Sequence, residues 1–368
     1  MKFLAKCEDM RRELSYALNF TTKRNALSIT SNILLDNNNN CLTIKATDQK
    51  NGFISSFPCE TIVPGRTTVI CEKLLDVLKF INGEVDLEIS EENEKLSVKN
   101  SQDNSFLMNI RTISADKFPS LDERGDLEFF NIRQSSFFDM IDKTAFAVGK
   151  EETRHFLTGV FMERNEDGKL VMVATDGKRL ACVKRAFEQE IPSFSPSILP
   201  VSFLNNLKSI GSGDGILSIA IKDQCVYANI EGHYIYSLLV SGNYPVYQKV
   251  IPSSFEYTVT CDKDALVNAI SLISAMIELK NRKVLFNLNI DGIMISGEDE
   301  NGDIKNIVPC SYEGEEMLLS FNSQFLLESI KKIDSKNIAM LINSNKSAVG
   351  IISEPESDYI YIIMPMQN

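Results

Sequence analysis

The chain contains no tryptophan and only two histidines, His155 and His233, among 368 residues. Neither histidine lies in a Gly-x-Ser-x-Gly or His-Glu-x-x-His context, so no nucleophile elbow and no zinc-protease helix is written here. The eight cysteines, at positions 7, 41, 59, 71, 182, 225, 261 and 310, form no Cys-x-x-Cys pair and have no histidine at ligand spacing. That excludes the usual zinc signatures and reads as a reduced, cytosolic protein. No stretch approaches the ~18 apolar residues of a membrane span. The opening Met1-Lys2-Phe3-Leu4-Ala5-Lys6-Cys7-Glu8-Asp9 meets acidic charge before an apolar signal segment can form. Positive charge is in deficit as well: Lys and Arg total 38 against 50 Asp and Glu, a net charge of −12. Such a balance argues against a nucleic-acid binder that works through bulk positive charge.

What is present is ordinary globular material, 43% hydrophobic and 24% charged, in a length that holds two to three domains at about 100–150 residues each. It is arranged as three copies of one unit. Leu74-Leu75-Asp76-Val77-Leu78-Lys79-Phe80-Ile81, Phe203-Leu204-Asn205-Asn206-Leu207-Lys208-Ser209-Ile210 and Leu326-Leu327-Glu328-Ser329-Ile330-Lys331-Lys332-Ile333 share one pattern of apolar positions, lysine and isoleucine. Phe118-Pro119, Tyr244-Pro245 and Met364-Pro365 recur at the same period, roughly 120–130 residues. Each unit opens on a stripe spaced by three and four: Met10, Leu14, Ala17, Leu18; Phe138, Ile141, Ala145, Val148; Leu266, Ile270, Ile273, Ile277. These stripes predict amphipathic helices. Short alternating strands with Asn, Asp and Gly turns fill the intervals. The expected fold is α+β, three repeated domains over 1–122, 128–251 and 256–368, each placing two helices on antiparallel sheets.

Catalytic candidates are thin. Gly211-Ser212-Gly213-Asp214-Gly215 runs from helix into strand, the reverse of a phosphate loop. Glu298-Asp299-Glu300-Asn301-Gly302-Asp303 lacks the alternating ligands of a calcium loop and reads as a solvated hairpin. An enzyme acting at Asp176, a nuclease or nucleotidyl transferase, would need further carboxylates to hold Mg²⁺, and Asp176 has no acidic neighbour in sequence. No catalytic residue, metal or cofactor is therefore expected. The charge is unevenly spread: the six expected helical segments, 7–20, 72–82, 133–148, 202–211, 262–282 and 324–333, together carry +1, leaving −13 for strands and loops.

The triple repeat, Ala174-Thr175-Asp176-Gly177-Lys178-Arg179-Leu180-Ala181, Tyr244-Pro245-Val246-Tyr247-Gln248-Lys249-Val250-Ile251-Pro252 and the terminal Tyr361-Ile362-Ile363-Met364-Pro365-Met366 resemble the bacterial DNA polymerase III beta subunits, the sliding clamps, over the whole chain. The resemblance implies a cytoplasmic, non-catalytic processivity factor of DNA replication. It implies a head-to-tail homodimeric ring that encloses duplex DNA and tethers the replicative polymerase subunit, the clamp loader, other polymerases and repair proteins through short apolar motifs. It implies no membrane partner and no cofactor. Carried over position by position, it places the partner pocket at Arg154, Phe156, Leu157, Thr175, Gly177, Lys178, Arg179, Leu180, Pro245, Lys249, Val250, Asn322, Phe325, Ile362, Ile363, Met364, Pro365 and Met366. Leu157, Leu180, Val250, Ile362 and Met364 are expected as its apolar walls, with Arg179 fixing the peptide. Arg24, Lys73 and Lys79 match positions near DNA, and the repeat adds Lys208 and Lys331. The dimer contact is expected between the Lys99–Arg111 strand region of one copy, with Met108, and the helix end at Ala275 and Met276 with Glu298 and Glu300 of the other. The chain departs from the family's pattern at Lys178, Lys249 and the terminal Gln367-Asn368, and it carries Glu72 and Glu151 at positions that are usually basic or polar.

Overall fold

The structure, a computed structural model, describes residues 1–22, 28–81, 86–102, 106–121, 127–277, 282–300, 302–343 and 347–366. Each expected helical segment forms an α-helix: α1 (Cys7–Ala17), α2 (Cys71–Leu78), α3 (Gln134–Thr144), α4 (Val201–Ile210), α5 (Lys263–Met276) and α6 (Ser323–Ile330). The first and third stripes are buried faces, but the second is not: α3 buries Phe137, Met140 and Ile141, while Phe138, Ala145 and Val148 of the expected stripe are only half-buried. Met10, Leu14 and Ala17 of α1 and Leu266, Ile270 and Ile273 of α5 are inaccessible to solvent. Where capping is by side chain, an Asx residue supplies it: Asp262 Oδ1 accepts from Ala265 N at 2.8 Å, and Asn322 Oδ1 accepts from Gln324 N at 3.0 Å. The helix ends fall short of the periodicity. α1 and α3 pass into 3₁₀ turns at Leu18–Phe20 and Ala145–Ala147, and α5 ends at Met276 with Ile277 already extended.

The repeats open on a strand rather than on a helix. Lys2–Lys6, Phe130–Arg133 and Tyr257–Asp262 run directly into α1, α3 and α5, and Gly65–Ile70, Ser197–Pro200 and Met317–Asn322 run directly into α2, α4 and α6. Runs of four to six residues are too short to announce themselves by alternation.

Among the described residues all strand pairs are antiparallel, in sheets of five, eight, nine and four strands. The two large sheets cross repeat boundaries. Asn51–Ile54 of the first repeat pairs with Tyr234–Ser237 of the second, and Arg179–Val183 of the second pairs with Tyr359–Ile363 of the third. The second repeat is consequently shared between two compact units, one of 1–136 with 202–239 and the other of 137–201 with 240–368. Within each unit a sheet, rather than a linker, joins consecutive repeats, and burying that edge removes a site for stray strand addition. Among the described residues no helix is long and apolar enough to cross a membrane.

Candidate functional site

The octapeptide singled out by sequence forms the turn between strands Leu170–Thr175 and Arg179–Arg185. Thr175 Oγ1 accepts from Gly177 N at 3.0 Å and donates to Arg179 O, while Asp176 Oδ1 accepts from Lys178 N at 2.9 Å and Arg179 N at 3.1 Å. Gly177 is favoured by its backbone conformation, with the tip of Arg154 packed close to it. Its φ of +88° lies in the left-handed region, and a Cβ there would stand 2.7 Å from Arg154 Nη1. The turn and Arg154 therefore pack together, with Arg154 held by Glu151 at 2.7 Å.

Arg179 points into the protein, not out toward a ligand. Its guanidinium donates to Asp176 Oδ2 at 3.1 Å, to Glu328 Oε2 at 2.5 Å and to Phe146 O at 2.8 Å. Its Cζ also lies 4.2 Å from the Phe325 ring centroid and 5.5 Å from that of Phe146. Burial disfavours the charge, but the Glu328 bond and the nearby carboxylates hold the guanidinium above its ordinary pKa. The residue expected to fix a peptide is thus a buried strut that ties the turn to α6. Planar, multidentate geometry of this kind suits arginine and not lysine.

The chain terminus lies against the same turn. Met364 N donates to Lys178 O at 3.0 Å, and Met366 N donates to Ser320 O at 2.8 Å while Ser320 Oγ donates to Met366 O at 2.7 Å. Two backbone anchors thereby present Met364 and Met366 as exposed side chains. Leu180 and Ile362, expected as walls, are instead floor: both are buried in one apolar cluster with Val171, Val173, Cys182, Tyr247 and Ala348. Leu157 and Ile363 are buried too, and since Ile362 and Ile363 are consecutive residues on opposite faces of one strand, that strand is covered on both sides. Tyr247 anchors the 245–250 segment in that cluster, and its hydroxyl donates to Glu163 Oε1 at 2.7 Å, leaving Pro245, Lys249 and Val250 exposed. Phe156 and Phe325 are half-buried, and Asn322 caps the helix that carries Phe325. Of the expected apolar walls, Val250 and Met364 are the open ones.

The other expected sites are scattered. Arg24 lies outside the described residues. Lys73 is exposed on α2, Lys79 caps its C-terminus with Nζ 2.9 Å from Asp76, Lys208 lies in the last turn of α4, and Lys331 caps α6. Three lysines at helix C-termini complement the helix dipole. Met108 lies on Leu107–Arg111, the end strand of the five-stranded sheet. Ala275 and Met276 close α5, and Glu298 faces Asp303 on Gly302–Val308, the end strand of the four-stranded sheet, with Glu300 exposed in the turn between.

A second polar cluster escaped sequence reasoning. Glu13, 2% exposed on α1, accepts from Ser55 Oγ at 2.5 Å and from Arg12 Nε at 3.0 Å, and its Oε2 lies 2.8 Å from His233 Nε2. Burial alone would raise the Glu13 carboxyl, but its bonds to His233, Ser55 and Arg12, together with electrostatic attraction to His233, hold it below the usual carboxylate range. The available signal was its position: Glu13 stands three residues after Met10 and one before Leu14, on the buried stripe.

Three repeats of a two-helix, antiparallel-sheet unit on one chain define a DNA clamp. Models of the DNA polymerase III beta subunit match along the chain, the N-terminal domain at 1–122, the central domain at 131–246 and the C-terminal domain at 248–367. The beta sliding clamp of Treponema pallidum is 31% identical over 374 residues, and that of Escherichia coli K12 is 25% identical over 369, each covering 100% of both chains. The crystal structure of the Pseudomonas aeruginosa subunit superposes with a TM-score of 0.91 at 26% identity over 100% of both chains, and another from that organism, bound to griselimycin, with 0.92 at 26%. The chain belongs to the DNA polymerase III beta subunit family, the beta sliding clamps, and is a processivity factor of DNA replication.

Proposed function

We propose that two copies of this chain close head to tail into a ring around duplex DNA and tether polymerase and other replication proteins through the surface at the turn 175–179 and the tail 364–366. The observation that carries this reading is the tail: Met364 and Met366 are held by backbone bonds yet exposed, and polarizable methionine surfaces adapt to varied apolar peptides. The griselimycin complex of the Pseudomonas aeruginosa clamp supports a ligand-receptive surface on this fold. The role is non-catalytic, located in the cytoplasm. Asp176, the alternative catalytic carboxylate, spends both oxygens on the turn and Arg179.

Two free sheet edges support the ring. Leu107 on Leu107–Arg111 and Ile307 on Gly302–Val308 are strongly exposed apolar residues on end strands. Pairing one edge with the other edge of a second copy would cover both and give a heterologous contact that closes. Lys73, Lys79, Lys208 and Lys331, with Arg24, would supply weak phosphate contacts; a sliding ring needs contacts that do not read bases. Retention then rests on topology. Protein loaded on nicked circular DNA should survive a high-salt wash and leave on linearisation; release by salt alone contradicts the ring.

A further inference from the structure

All eight cysteines are free thiols, and the strand register sets one pair of them apart. Cys261, on Tyr257–Asp262, stands directly opposite Cys310, on the two-residue strand Cys310–Ser311. Directly opposed residues of an antiparallel pair point to the same face, with Cα atoms about 4.5 or 5.5 Å apart. Both spacings lie inside the roughly 4.4–6.8 Å that a disulfide spans. The Cβ separation of such pairs, about 4.5–5.5 Å, slightly exceeds the roughly 3.5–4.5 Å of a relaxed disulfide, so closing the bond needs a small inward movement of one strand. Cys310–Ser311 can supply it, being short, at the end of the nine-stranded sheet and paired on one side only.

The other cysteines are placed differently. Cys7 and Cys71 donate to Leu78 O and Leu14 O from helices, and Cys59 donates to Asn37 Oδ1 at 3.3 Å. Cys41 lies opposite Pro58, Cys182 opposite Val173 and Ile360, and Cys225 opposite Lys222 and Leu238. The two sulfurs of the opposed pair differ in access: Cys261 is buried, whereas Cys310 is half-buried. Burial, with Cys310 and Asp262 nearby, pushes the Cys261 thiol up to about 12, and burial raises the Cys310 thiol as well. Both thiols stay protonated at neutral pH, so their exchange with an oxidant is slow.

We propose that Cys261 and Cys310 form a redox modification site, joined in a reversible disulfide by exchange with a low-molecular-weight disulfide such as glutathione disulfide. The Cys310 thiolate attacks one sulfur of the oxidant, forming a mixed disulfide and releasing one thiol; the Cys261 thiolate then attacks the Cys310 sulfur and expels the second thiol. Two protein S–H bonds give way to one S–S bond, the oxidant takes both electrons, and the two protons end on the two released thiols. The bridge closes a loop of about 50 residues that holds α5 and the strands Lys283–Asn289, Gly292–Asp299 and Gly302–Val308.

The full chain is incubated with glutathione disulfide at about pH 8.5, where more thiolate is present. Remaining thiols are blocked with N-ethylmaleimide in denaturant, and unreduced peptides are mapped by mass spectrometry. A Cys261–Cys310 link is expected. The oxidised chain should unfold about 5–10 °C higher, and dithiothreitol should remove the gain. Cys261→Ser should accumulate a glutathione adduct on Cys310, whereas Cys310→Ser should leave Cys261 unmodified, with the thermal unfolding of each variant recorded to verify folding. Maleimide on both Cys261 and Cys310 of the oxidised wild type, or a link from either to a different cysteine, overturns the proposal.

Discussion

The two junctions between consecutive repeats are built alike and finished differently. Each is a strand pair with a hydrogen-bonded polar cluster beside it: Asn51–Ile54 on Tyr234–Ser237 with Glu13 and His233, and Arg179–Val183 on Tyr359–Ile363 with Arg179 and Glu328. The first cluster is closed, because the buried Glu13 carboxylate is met by Ser55, Arg12 and His233. The second is capped by an exposed tail, Met364 and Met366, anchored to the same turn that Arg179 holds. A sheet is thus shared between repeats at both junctions, and the proposed peptide surface is placed at one of them only.

That comparison can be broken from either side. Glu13→Ala strips the acceptor from three donors at once and should cost about 3–5 kcal/mol in denaturant unfolding, with peptide binding at the second junction unchanged. Arg179→Ala should cost about 3 kcal/mol and also weaken apolar-peptide binding at least tenfold, because the turn that anchors Met364 loses its strut; Arg179→Lys should recover only part of either. A pH series sharpens the first junction. The Glu13 carboxyl is held below its unfolded value of about 4.3, so its contribution is present above that pH and is lost as pH falls through the lower folded value. The gap in unfolding free energy between wild type and Glu13→Gln should accordingly shrink between about pH 5 and pH 3. The smallest effect on stability is expected for Met364→Ala, within about 0.5 kcal/mol, since the side chain is exposed. The same variant should lose about 1–2 kcal/mol of peptide binding.

The helices were legible because a buried stripe at a 3.6-residue period survives in one sequence. The repeat was legible through its lysines and its aromatic-or-Met–Pro pairs. Sheet sharing was not: the register of Tyr236 opposite Gly52 depends on contacts nearly two hundred positions apart, about which local alternation is silent. The same limit governs the site. The turn 174–181 was recognisable, yet the partners that turn Arg179 inward, Glu328 and Phe325, come from a helix of the next repeat. Glu13 was visible only as a charge on an apolar stripe, with its partners in a distant strand and hairpin. Leu180 and Ile362 are floor because their paired strands are buried on both faces, as Tyr361 and Ile363 show, whereas Met364 is open because it lies past the strand end.

The division of labour between the junctions is tested most directly by fluorescence anisotropy of a labelled apolar peptide against wild type, the 364–368 deletion and Glu13→Gln. The account predicts binding lost in the deletion and an unchanged Kd in Glu13→Gln. Undiminished binding by the deletion variant, or a Kd that shifts with Glu13 alone, would contradict it.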